Sequence, residues 1–117
     1  MKEIHFYRTE SGSCPVEEFL NSLPSMQAQK VVWVLRLIEE VEVPPTLYFK
    51  KSANTEDIWE VRVQVETDIF RLLGFIEDEQ VIVLNHAIQK TTVKIPSQEL
   101  KIAESRKLNY LNRKNAL

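Results

Sequence analysis

Between Ile58 and Pro96 the chain reads IWEVRVQV, then DIFRLLGFI, then VIVLNHAIQKTTVKIP: three strand patterns in succession, separated by turns of a few residues. Successive side chains of a strand point to opposite faces. Trp59, Val61, Val63 and Val65 therefore share one face of the first strand, and Glu60, Arg62 and Gln64 share the other. Connections this short join antiparallel neighbours, because a parallel pair needs a crossover of about a dozen residues or more. The clean alternation predicts a sheet with one face packed on helices and one face open. In the second strand the alternation is less clean: Ile69, Leu73 and Phe75 share the face of Arg71, and Gly74 marks a bulge or a close backbone approach.

The flanking segments supply the helices. Glu3 to Arg8 alternates weakly and reads as a first strand, and Pro15 fits the first position of a short helix, PVEEFLNSL. From Met26 to Val41, Ala28, Val31, Val32, Leu35, Ile38 and Val41 recur at helical spacing, with Ser25 as the expected N-cap. Val34 and Leu37 widen the stripe, which predicts a heavily buried helix. Residues 46–57 read as a loop. A last helix from about Ser97 to Asn112 carries Leu100, Ala103, Leu108 and Leu111 as its inward stripe. The expected fold is α+β: one domain over residues 1–117, with a small, mainly antiparallel twisted sheet of about four strands and helices packed on one face.

Composition matters chiefly for what it excludes. One cysteine, Cys14, rules out an internal disulfide and fits a reducing compartment. The N-terminus lacks the apolar core of a signal peptide, and the most apolar run, 31–38, is short and broken by Arg36. A cytoplasmic protein with no membrane partner is expected. Two histidines and one cysteine, widely spaced, make no zinc pattern, so no metal or other cofactor is expected. There is neither a Gly-rich phosphate loop nor a serine nucleophile elbow. The net charge of -2 conceals an asymmetry: residues 1–80 hold 8 Lys and Arg against 15 Asp and Glu, whereas residues 81–117 hold 7 against 2. A basic C-terminal third on an acidic body permits a local polyanion site; a solvated basic helix face is the plainer reading.

What remains is a set of cations on the strands. Arg62 and Arg71 sit inside strand patterns, and His86, Lys90 and Lys94 follow the last one. RNA cleaves when its 2′-hydroxyl attacks the adjacent phosphorus. The transition state carries more negative charge than the ground state, so fixed cations stabilise it selectively. Arginine suits that role because its guanidinium stays charged. Histidine suits proton transfer because its ordinary pKa lies near neutrality. Each residue also has a structural reading: Arg62 pairs with Glu60 or a neighbouring strand, Arg71 with a carboxylate at a strand edge, His86 is a hydrogen-bonded histidine at a strand end, and Lys90 and Lys94 are ordinary loop lysines.

IWEVRV at 58–63, IFRLL at 69–73 and VLNHAIQKTTVKIP at 83–96, followed by a basic helix, resemble the phage-derived, HigB-type branch of the RelE/ParE toxin superfamily. PVEEFLNSL and the helix from Met26 to Val41 fit the same order. The resemblance implies the toxin of a type II toxin–antitoxin module, typically a ribosome-dependent, metal-independent mRNA endonuclease. It also implies a neutralising partner antitoxin, often a helix-turn-helix protein. By position it carries catalytic roles to Arg62, Arg71, His86 and Lys90. Lys50, Lys51 and Lys94 are expected on the RNA backbone. Thr91, Ile88 and Ile95 depart from the family's second lysine, aromatic residue and capping threonine, with Ser97 expected to take over the cap. A non-catalytic protein that keeps the toxin fold and antitoxin contacts, or a ParE-like gyrase inhibitor, stands as the alternative. The general base stays open, with Tyr110 a remote candidate.

Overall fold

The computed structural model describes residues 2–55, 57–89 and 94–116. Within these, the elements run β1 (Glu3–Phe6), α1 (Pro15–Ser22), α2 (Ser25–Glu40), β2 (Phe49–Lys51), β3 (Trp59–Val65), β4 (Asp68–Asp78), β5 (Val81–Gln89) and α3 (Ser97–Asn115). The strands form one sheet in the order β1-β5-β4-β3-β2. The pairs β2–β3, β3–β4 and β4–β5 are antiparallel, as the short turns require, and β1 lies parallel to β5 at the edge. The fold is α+β, with three helices around a mostly antiparallel sheet.

Two features differ from the sequence expectation. The described sheet has five strands rather than about four, because Phe49–Lys51, read as loop, pairs with β3 from Phe49↔Val61 to Lys51↔Trp59. Three residues are too few to display a period of two. The helices also occupy both faces rather than one. Val16 of α1 and Val31, Val34, Leu35 and Ile38 of α2 pack on Val61, Val63, Phe70, Leu72, Ile82 and Leu84. On the opposite face α3 packs Leu100 and Ala103 against Leu73 and Ile58, and Tyr110 and Leu111 against Phe75 and Val83. β4 is thus apolar on both sides, which is why its alternation is blurred.

The helix starts and stripes shift as well. Ser25 and Ser97 do not cap; each is the first helical residue behind an extended proline, Pro24 or Pro96, whose carbonyl accepts the first helical bonds. The buried seam of α2 is Val31, Val34, Leu35 and Ile38, leaving Val32 and Trp33 exposed. In α3, Leu108 faces solvent, because the helix docks along Leu100, Ala103, Arg106, Lys107 and Tyr110 instead.

The β4–β5 ladder slips register twice. Leu73 pairs with His86 but Gly74 with Leu84, so Asn85 is the extra residue on β5. Ile76 pairs with Ile82 but Asp78 with Val81, so Glu77 is the extra residue on β4. A Cβ at Gly74 would stand 1.9 Å from the Val83 carbonyl oxygen. The close approach suspected at Gly74 is therefore present, at the bulge that aims Asn85 and His86 toward α3.

Candidate functional site

Residues directly opposite in an antiparallel ladder share a face. One row across β2 to β5 is Lys50, Glu60, Leu73 and His86; the next row on the same face is Arg62, Arg71 and Ile88. Four of the expected site residues, Lys50, Arg62, Arg71 and His86, therefore lie in two neighbouring rows on the α3 side of the sheet. They surround a carboxylate, Glu60.

Glu60 and Arg71 are both buried, at 5% and 3% exposure, and their Oε2 and Nε atoms stand 3.3 Å apart. Lys50 Nζ approaches the other carboxylate oxygen at 3.7 Å from a half-exposed position. An ion pair out of water holds only because each partner compensates the other's lost hydration. The Arg71 guanidinium thus lies beneath the surface with Glu60 beside it. Beside this pair a depression of about 100 Å³ is lined by Lys50, Ser52, Ala53, Asn54, Glu60, Lys94 and Ile95. Lys94 is exposed there, and the buried Ser52 hydroxyl has no hydrogen-bond partner among the described residues. Two lysines and a waiting O–H donor give the depression the chemistry of an anion site.

Arg62 stands directly opposite Arg71 but at the sheet margin, where β2 has ended and the Arg62 N–H donates to the Tyr48 carbonyl at 2.9 Å. Its guanidinium donates to Gln64 Oε1 at 3.3 Å and lines a second shallow depression with Lys30, Leu47 and Tyr48. Lys51 is not brought to this face: it alternates away from Lys50 and shares its row with Trp59. Lys90 and Thr91 lie outside the described residues. Tyr110 is eleven residues along α3 from Glu99, roughly 16 Å by helical rise, against Phe75 and Glu77.

His86 turns toward α3. Its Nε2 is 2.6 Å from Glu99 Oε2, and its Nδ1 is 3.1 Å from Arg106 Nη1. The same Arg106 nitrogen donates to the Asn85 carbonyl at 2.9 Å, and Asn85 Nδ2 donates to the Ala103 carbonyl at 3.0 Å. Arginine can only donate, so His86 Nδ1 accepts and the ring proton sits on Nε2, pointing at Glu99.

The sequence reading missed Ser52, Glu99 and Arg106, and took Glu60 only as a pairing partner. Arg106 was findable in principle, since it stands three residues after the buried Ala103 on the docking side of α3. Nothing in the sequence marks Ser52. Among the described residues no cluster of His, Cys, Asp and Glu has a metal site's arrangement, and no helix is long and apolar enough to cross a membrane.

The sequence model of the phage-derived, Gp49-like protein family (DUF891) matches residues 18–108, more than three quarters of the chain, from α1 into α3. The chain belongs to this family. It is a known RelE/HigB-like toxin family, so membership is consistent with a toxin of a toxin–antitoxin system and implies an antitoxin partner. The match takes in both cation rows and the β5–α3 connection. No curated protein matches the chain.

Proposed function

We propose that this Gp49-like protein is the HigB-type toxin of a type II toxin–antitoxin module, a cytoplasmic endoribonuclease that cuts mRNA on the ribosome. The reading rests on one observation above the others: the depression holding Lys50, Lys94 and the Ser52 hydroxyl, which has no partner among the described residues, beside the buried Arg71–Glu60 pair. A phosphodiester seated there meets cations on its equatorial oxygens. The RNA 2′-oxygen attacks phosphorus as its proton leaves, and the bond to the 5′-oxygen breaks as that oxygen is protonated. The products are a 2′,3′-cyclic phosphate and a 5′-hydroxyl. Arg71 supplies charge from below, where the low dielectric strengthens it. Arg62 at the sheet margin and Lys50 and Lys94 at the depression hold the RNA backbone. Lys90 keeps the phosphate role that the family resemblance gives it. A helix-turn-helix antitoxin neutralises the protein.

The test is inducible expression with mapping of RNA 5′ ends, wild type beside Lys50→Glu/Lys94→Glu. Growth arrest with new 5′-hydroxyl ends inside translated messages, absent in the charge-reversed variant, is the expected result. Folded wild-type protein that neither arrests growth nor yields new ends overturns the reading. The second reading, a binding protein that no longer cuts, draws on two observations: Arg71 is already matched by Glu60, and α2 exposes Val32 and Trp33 to any protein partner.

A further inference from the structure

The resemblance gives His86 a part in proton transfer, but its surroundings suit a different task. The ring is largely enclosed, with 14% of the side chain exposed, and both nitrogens are engaged within the protein. Nδ1 accepts from Arg106 while Nε2 donates to Glu99. A proton added at Nδ1 would face an N–H of Arg106, and a proton removed from Nε2 would leave two acceptors facing each other. Neither transfer is available without dismantling the contacts that hold the ring.

Those contacts span a particular piece of chain. His86 is on β5 and Glu99 is on the first turn of α3, 13 residues later, and Lys94 lies between them. Asn85 and His86 both reach α3 because the bulge opposite Gly74 turns consecutive residues to one side. Arg106 ties the far side of the ring to the bulge backbone. We propose that His86 is a positioning residue: with Glu99 and Arg106 it clamps the start of α3 to the β5 bulge, and thereby seats Lys94 at the anion depression beside Lys50 and Ser52. The proposal rests on reading that depression as the RNA-phosphate site.

A glutamine amide offers one donor and one acceptor, as the neutral imidazole does here, but takes no part in proton transfer at ordinary pH. The clamp therefore predicts that His86→Gln keeps a cleavage rate of the wild-type order with an unchanged pH profile. His86→Ala displaces Lys94 and lowers cleavage by about 100-fold, the scale expected of an ångström-level misplacement. Glu99→Ala repeats the loss from the other side of the clamp. If His86→Gln is as inactive as His86→Ala, with both proteins folded, the proposal is overturned and His86 is a catalytic residue. A second readout needs no ribonuclease activity: limited trypsin digestion after Lys94, with Lys30 on α2 as the internal control for a folded molecule. Faster cutting at Lys94 in His86→Ala and Glu99→Ala, but not in His86→Gln, supports the clamp even if the wild type proves unable to cut RNA. Equal cutting at Lys94 in all four proteins overturns it.

Discussion

The two faces of the sheet are held by different physics. Under α1 and α2 the contacts are almost wholly apolar: Val31, Val34, Leu35 and Ile38 fill the space above Val61, Phe70, Leu72 and Leu84, with Phe19 edge-on to Phe70. Under α3 the apolar content is thin, with only Leu100 and Ala103 of the helix buried. Polar contacts at the two bulges do much of the docking. Asn85 and His86 meet Ala103, Arg106 and Glu99, and Glu77 meets Tyr110 and Lys114. Apolar burial is non-directional and scales with area, so it sets stability. Hydrogen bonds and ion pairs are directional, so they set where particular atoms sit. The face that carries the candidate site is the one built from directional contacts.

The largest expected effect lies on the apolar face. Phe70→Ala should lower unfolding free energy by about 4 kcal/mol, the range for emptying a fully buried aromatic site, with Phe70 at 0% exposure. Urea unfolding checks it. A loss under about 1 kcal/mol would mean that this face is not the main store of stability.

The buried pair on the other face comes next. Glu60→Leu alone takes the carboxylate away from the buried Arg71 guanidinium and should destabilise by about 3 kcal/mol. Adding Arg71→Met should return most of that loss while, on the proposed ribonuclease reading, leaving RNA cleavage abolished. A double variant that cuts RNA at the wild-type rate would remove this pair from the mechanism.

The smallest effect is at the far end of α3. The hydrogen bond from Lys114 holds the Glu77 carboxyl below the ordinary carboxylate range, with the Tyr110 hydroxyl also donating, against an opposing push from partial burial. A depressed folded pKa means a contribution that is complete above the ordinary value of 4.5 and lost as pH falls through the folded value. Lys114 is shifted upward by the same bond, so its share is complete below the ordinary lysine value and lost as pH rises past it. Burial first, and then Glu77, push Tyr110 up, in the same alkaline sense. Amide protection in the last turns of α3, taken relative to the intrinsic exchange rate at each pH, should therefore fall at both acidic and strongly alkaline pH, and Glu77→Gln should remove the acidic limb. An unchanged acidic limb in that variant would assign it to other carboxylates.

How much of this could be read in advance follows the same division. The run of strands from Ile58 to Gln89 and the seam of α2 announce themselves through periodicity, because each residue's burial there depends on its own element's geometry. The short edge strand Phe49–Lys51 and the second helical face did not, since three residues show no period and α3 docks through Arg106 and Lys107 as much as through leucine. Within the site, Arg62 and Arg71 stood out as charges inside strand patterns, and Lys50 and Lys94 as lysines in connecting segments. Their common neighbour Glu60 was visible as a residue but not as a centre, because its row is completed by chain from β2 and β5. Lys51 shows the converse: adjacent to Lys50 in sequence, it is turned to the opposite face by the pleat.

By itself, then, the sequence determined the α+β class, the antiparallel run of β3 to β5, and the family to which the chain belongs. These follow from local periodicity, short connections and motif order, which need no knowledge of what lies across the fold. Only the tertiary structure decided that Arg71 is matched by Glu60, that Ser52 lines the depression with both lysines, and that His86 is held between Glu99 and Arg106. Each of those facts joins residues distant in sequence across strand pairings and bulges. A one-residue slip in strand register would turn Glu60, Arg71 or His86 to the other face.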